Sequence, residues 1–162
     1  MRDPLGYDTD IFAWSQHQAQ VLRGLAKGRR DLPNDLDLQH VAEEIEDLGI
    51  SELRTVESLL RRVLGHGIKL AASPEALAAA GWRREIRTWQ GDALTRFSEG
   101  MRQRLDLERA WRLARRDALA DLAEYGETAP DLPTTCPAGL DLLLDEGFEP
   151  DALAALIRGD AA

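Results

Sequence analysis

The sequence has one cysteine, Cys136, so it can form neither an internal disulfide nor a metal cluster built on cysteines. It also lacks an apolar run of membrane-spanning length, because the alanine-rich stretch from Leu70 to Gly81 is short and interrupted by Pro74. Met1 to Phe12 carries Asp3, Asp8 and Asp10 and no apolar block, so no signal peptide is expected and a cytoplasmic location is. No stretch alternates β-branched and polar residues as a strand would, and neither a glycine-rich phosphate loop nor a Ser-His-Asp order is present. Lysine is scarce, at two residues against eighteen arginines, a bias with no functional content of its own.

What is present is a chain of 162 residues, 44% of them hydrophobic, enough for one domain with a moderate core. Its formal charge of −9 repels polyphosphate backbones and anionic lipid, which argues against a general DNA coat and against membrane association. No cofactor is implied by any of these features.

The apolar spacing is helical almost throughout. Ile11, Trp14, Val21 and Leu25 predict a first helix capped by Asp8 and ending near Gly28. Leu38, Val41, Ile45 and Leu48 open a second helix at Leu36 or Asp37, and its phase runs on through Val56, Leu60 and Val63 to Leu70, with Gly49 inside it. Gly65 and Gly67 flank His66 and point to close packing or a frayed end. Ser73 to Gly81 reads as a loop with one helical turn. Trp82, Ile86, Trp89, Ala93 and Phe97 mark a third helix, and Gly100 to Leu105 a short connecting one. Leu107 to Tyr125 forms a fourth, capped by Asp106 and stopped by Gly126. Beyond about residue 127 the chain is rich in loops, with a short helix capped by Cys136 that runs to Leu144 and a last one over Asp151 to Arg158. The expectation is a single all-α domain over 1–162, a bundle of about four main helices with short C-terminal ones. Its expected core holds Trp14, Val41, Ile45, Leu48, Val56, Leu60, Ile86, Trp89, Trp111 and Leu122.

Charge is segregated along the chain. Residues 31–60 balance at −8, residues 82–116 at +5, and residues 117–162 at −10.

Several motifs carry a family resemblance. They are Tyr7-Asp8-x-Asp10 followed by Trp14, the run Val41-Ala42-Glu43-Glu44-Ile45-Glu46-Asp47-Leu48-Gly49-x-Ser51-Glu52, His66-x-x-Lys69, Thr135-Cys136-Pro137, and Leu143-Leu144-Asp145-Glu146. Together they resemble the bacterial family termed domain of unknown function twenty-nine, over nearly the whole chain. The resemblance implies a small all-helical bacterial protein and brings no established activity with it.

Four groups of residues could carry chemistry. His40 with Glu43, Glu44, Glu46 and Asp47 has the residue types of a divalent-cation site, but the order His-x-x-Glu occurs once, and a solvated or partner-facing acidic face fits it better. His66 and Lys69, one turn apart, could hold an anion or pair with a carboxylate of the acidic segment, but His66 reads first as a structural histidine hydrogen-bonded to a neighbouring helix. Cys136 at a helix N-terminus would have a lowered thiol pKa, although a lone cysteine is more often inert. Trp82, Trp89 and Trp111 among arginines could stack bases, though their spacing suits a core. Since Glu44 and Glu46 flank the apolar stripe on either side of Ile45, one of them should reach a partner, with Lys69, His66, Arg83, Arg84 and Arg87 as candidates. These features point to a non-catalytic interaction or regulatory module that takes a protein partner or a second copy of itself. A metal-dependent or acid/base enzyme using His66 and the acidic helix 43–47 is the alternative, and an RNA or single-stranded DNA binder using the arginines of 82–116 is a third reading.

Overall fold

Six α-helices and a short 3₁₀ turn make up a computed structural model that describes residues 6–160, with no strand among them. The helices are α1 (Ile11–Gly28), α2 (Leu38–Ala72), α3 (Ala79–Arg96), α4 (Leu107–Glu124), α5 (Leu140–Leu143) and α6 (Pro150–Arg158), and the 3₁₀ turn is Glu99–Met101. As expected, α2 runs through Gly49 without interruption. The described residues form two compact units: the chain up to Thr55 with Phe97–Leu105, and Val56–Arg96 with the chain from Asp106 onward.

In the first unit the cap of α1 is Asp10, not Asp8. Its buried carboxylate accepts hydrogen bonds from the Ala13 N–H at 2.9 Å, the Ser98 hydroxyl at 2.7 Å and the Gly100 N–H at 2.7 Å, whereas Asp8 is exposed. Three donors make burial of that carboxylate affordable and fasten the start of α1 to the 3₁₀ turn. The expected helix from Gly100 to Leu105 is therefore only this turn, whose Met101 is buried.

The buried phase of α2 also differs in this unit. Val41 and Leu48, expected in the core, are 41% and 40% exposed, while Ala42 and Gly49 are buried and Ile45 and Trp14 are half-buried. A Cβ on Gly49 would stand 2.0 Å from Ser15 Oγ and 3.3 Å from the Phe12 Cα. Close approach of the α1 and α2 backbones thus turns a seam of small residues inward, which rotates the bulkier residues outward.

In the second unit Val56, Leu60, Ile86, Trp111 and Leu122 are buried as expected, joined by Leu64, Ile68, Leu143, Leu153 and Ile157, while Trp89 is half-buried. The Trp111 indole N–H donates to the Pro133 carbonyl at 3.1 Å, and the Gln90 amide donates to the Leu143 and Asp145 carbonyls at 3.2 and 2.9 Å. These bonds tie the loop-rich C-terminal stretch to α3 and α4. Gly67 serves the same packing, since a Cβ there would meet Leu153 Cδ2 at 2.7 Å. Asp106 caps α4, accepting from the Arg109 N–H at 2.9 Å. The short helix expected from Cys136 covers only Leu140–Leu143 and follows Gly139.

Candidate functional site

The C-terminal half of α2 carries Ser58, Arg61, Arg62, Gly65, His66 and Lys69 on one side, turned away from its buried face. Facing them, α4 contributes Ala114, Asp117, Ala118 and Asp121, and the small residues at the centre leave a cavity of about 290 Å³. Each cationic position has a defined neighbour. Arg61 pairs with Asp117, Lys69 Nζ lies 2.5 Å from an Asp121 carboxylate oxygen, and His66 Nε2 lies 3.0 Å from Glu85. The His66 ring meets the Trp89 ring edge-on at 4.7 Å, and the Arg62 guanidinium lies 5.7 Å from the same ring. Burial, followed by the Lys69 charge, pushes the His66 pKa below its usual 6.5, against the opposing pull of Glu85, the Arg62 carbonyl and Asp121. A neutral imidazole of this kind can exchange a proton, but Ser58, the hydroxyl of this cavity, is two turns away along α2, about 12 Å by helix rise.

Lys69 and Asp121 also line a second, more apolar cleft of about 360 Å³, whose other walls include Leu77, Trp82, Leu122 and Tyr125. Glu127 at its edge accepts a hydrogen bond from the Ser73 hydroxyl.

His66 and Lys69 thus take their carboxylate partners from α3 and α4, not from the acidic segment. Glu46 is the glutamate that finds a cation, and the cation is Arg23 of α1 at 2.6 Å, which none of the expected candidates was. Its position beside the Ala42–Gly49 seam aims it at α1, and Arg23 holds its carboxyl below the usual range. Glu43 accepts from the Gln39 amide at 2.7 Å, His40 pairs with Asp37, and Glu44 and Asp47 are exposed. Among the described residues no three His, Cys, Asp or Glu side chains gather as a metal site.

Arg83 forms a two-nitrogen contact with Asp151 of α6, with Nη2 at 2.8 Å and Nε at 3.0 Å, while Arg84 and Arg87 are exposed on α3. Cys136 is not a helix cap. Its thiol donates to the Ala138 carbonyl at 3.3 Å, and burial pushes its pKa up to about 11, the reverse of the shift a helix cap would give. Of the three tryptophans, Trp111 is core, and Trp82 and Trp89 line or adjoin the two cavities. Sequence spacing missed Asp117 and Asp121, although their separation of four residues places both on one side of α4. It also missed Arg61 and Glu85, which meet their partners only where helices pack together, and Leu77 and Tyr125 at the second cleft.

A family model described as "Domain of unknown function DUF29" matches residues 6–149. A crystal structure of an alpha-helical protein of unknown function from Rhodospirillum rubrum ATCC 11170 is similar, at 43% identity and a TM-score of 0.89 over 93% of this chain and 96% of that one. No curated protein matches. With most of its length matched by the family model, and with all six helices and the acidic α2 motif in place, the chain belongs to the family described as domain of unknown function DUF29.

Proposed function

We propose that this protein is a non-catalytic interaction module whose docking face is the outer side of the first half of α2. The observation that supports the reading is the exposure of Val41 and Leu48, 41% and 40%, two turns apart on one stripe with Glu44 between them. Glu43 and Asp47 add exposed negative charge beside that stripe. Branched apolar side chains among carboxylates fit a partner of complementary kind, a basic amphipathic helix that offers apolar side chains to Val41 and Leu48 and arginine or lysine to the acids. A second copy would bring like charges together on this face, which disfavours self-association through it.

The test is a titration of the ¹⁵N-labelled protein with a basic amphipathic helical peptide, compared between wild type and Val41→Ser/Leu48→Ser. Both changed residues are exposed, so circular dichroism should be unaltered. Shifts centred on residues 40–52 that weaken in the variant and with added salt are expected. Equal binding by the variant, or shifts centred elsewhere, overturns the assignment.

A further inference from the structure

We propose that the cleft beside Lys69 binds a small amphipathic carboxylate, a medium-chain aliphatic or single-ring aromatic acid, whose carboxylate takes the place of Asp121 on the Lys69 ammonium. The site lies wholly within the unit that starts at Val56 and is independent of the α2 docking face. Three features carry the inference. The cleft is apolar where a ligand body would lie, between Trp82, Leu122 and the outward-facing Leu77 and Tyr125, which are 103% and 81% exposed. Apolar side chains this exposed around a concave surface are the usual mark of a binding site. The same cleft contains one ammonium, Lys69, whose side chain is only 18% exposed and therefore needs an anion beside it.

The third feature is the asymmetry of the ion pair that now supplies that anion. Asp121 is 47% exposed against 18% for Lys69. If a ligand carboxylate displaces Asp121, the aspartate moves into water at little cost, whereas an amine displacing Lys69 would leave an ammonium buried and unpaired. The exchange therefore favours anions over cations. Glu127, the other acid of the cleft, is already engaged by Ser73.

The experiment titrates octanoate and benzoate into the full-length ¹⁵N-labelled protein, with octanol and octylammonium as controls, and repeats the series with Asp121→Asn and Lys69→Met. Octanoate should shift residues 76–82 and 121–127, with a dissociation constant on the order of millimolar for so small a ligand. Asp121→Asn removes the internal competitor and should tighten binding about two- to fivefold, the worth of a partly exposed ion pair. Lys69→Met should abolish binding of octanoate. Because that variant could fail to fold, Asp121→Asn decides on its own. No shift with either acid in wild type and Asp121→Asn, equal binding by octanol, preferential binding of octylammonium, or weaker binding by Asp121→Asn each overturns the proposal.

Discussion

Two glycines of α2 should respond oppositely to the same substitution. In a helix interior glycine to alanine stabilises by about 1 kcal/mol where there is room for the methyl group. Gly65 has that room, since a Cβ there meets nothing within 4 Å, so Gly65→Ala should stabilise the protein by roughly 0.5 to 1 kcal/mol. Gly49 does not, because its Cβ would fall 2.0 Å from Ser15 Oγ and 3.1 Å from Ser15 Cβ. Ser15 is fully buried and donates to the Phe12 carbonyl at 2.9 Å, so rotating its hydroxyl away breaks a buried hydrogen bond. That loss is worth about 1 kcal/mol. Overpacking against the α1 backbone costs a further 1 to 3 kcal/mol. After the gain in helix propensity is subtracted, Gly49→Ala should destabilise by about 1 to 3 kcal/mol. Urea denaturation followed by circular dichroism measures both variants, and a Ser15→Ala background supplies the double-mutant cycle, in which part of the Gly49→Ala penalty should disappear. If Gly49→Ala stabilises as Gly65→Ala does, the seam between α1 and α2 does not have the packing described.

Glu46→Gln should lower the melting temperature while Glu44→Gln leaves it unchanged, because only Glu46 meets a cation; equal effects would break the assignment of Arg23 as its partner. Cys136 should react slowly with iodoacetamide at pH 8 in the folded protein. Its folded pKa of about 11 lies above the ordinary 9.0, so the stability it contributes is full below pH 9 and is lost as pH rises towards 11, a loss that Cys136→Ala should remove from denaturation curves. For His66 the folded pKa is lowered, so its contribution is present above pH 6.5 and is lost as pH falls through the folded value. An NMR titration should find the His66 midpoint below 6.5, and His66→Gln should flatten that part of the stability profile.

Periodicity of large apolar residues located every long helix and placed Val56, Leu60, Ile86, Trp111 and Leu122 correctly, because in those segments the bulky residues are the ones that pack. It misplaced Val41 and Leu48, where burial follows Ala42 and Gly49, small residues that weigh little in a hydrophobic pattern yet permit the closest helix contact. The candidate site was legible only in part. His66 and Lys69 stood out as a polar pair on an apolar helix, but Glu85, Asp117 and Asp121 look like ordinary surface acids until α3 and α4 are packed on α2. Glu46 was recognisable as a flanking charge, and its partner was not, because nothing local distinguishes Arg23 from seventeen other arginines. Cys136 was misread for want of one boundary: the helix it was expected to cap begins after Gly139.

The Asp10 cap has a consequence for how the chain is made. Its donors Ser98 and Gly100 lie 88 and 90 residues downstream. At about 5 to 20 residues per second, a ribosome needs on the order of 5 to 20 seconds after Asp10 is added before Gly100 exists to meet it. Throughout that interval, of the three donors the folded protein offers the carboxylate, only the Ala13 N–H exists. The first unit therefore begins with α1 but closes only once Phe97–Leu105 has been synthesised, so its assembly waits on a segment that follows the whole of α2 and α3.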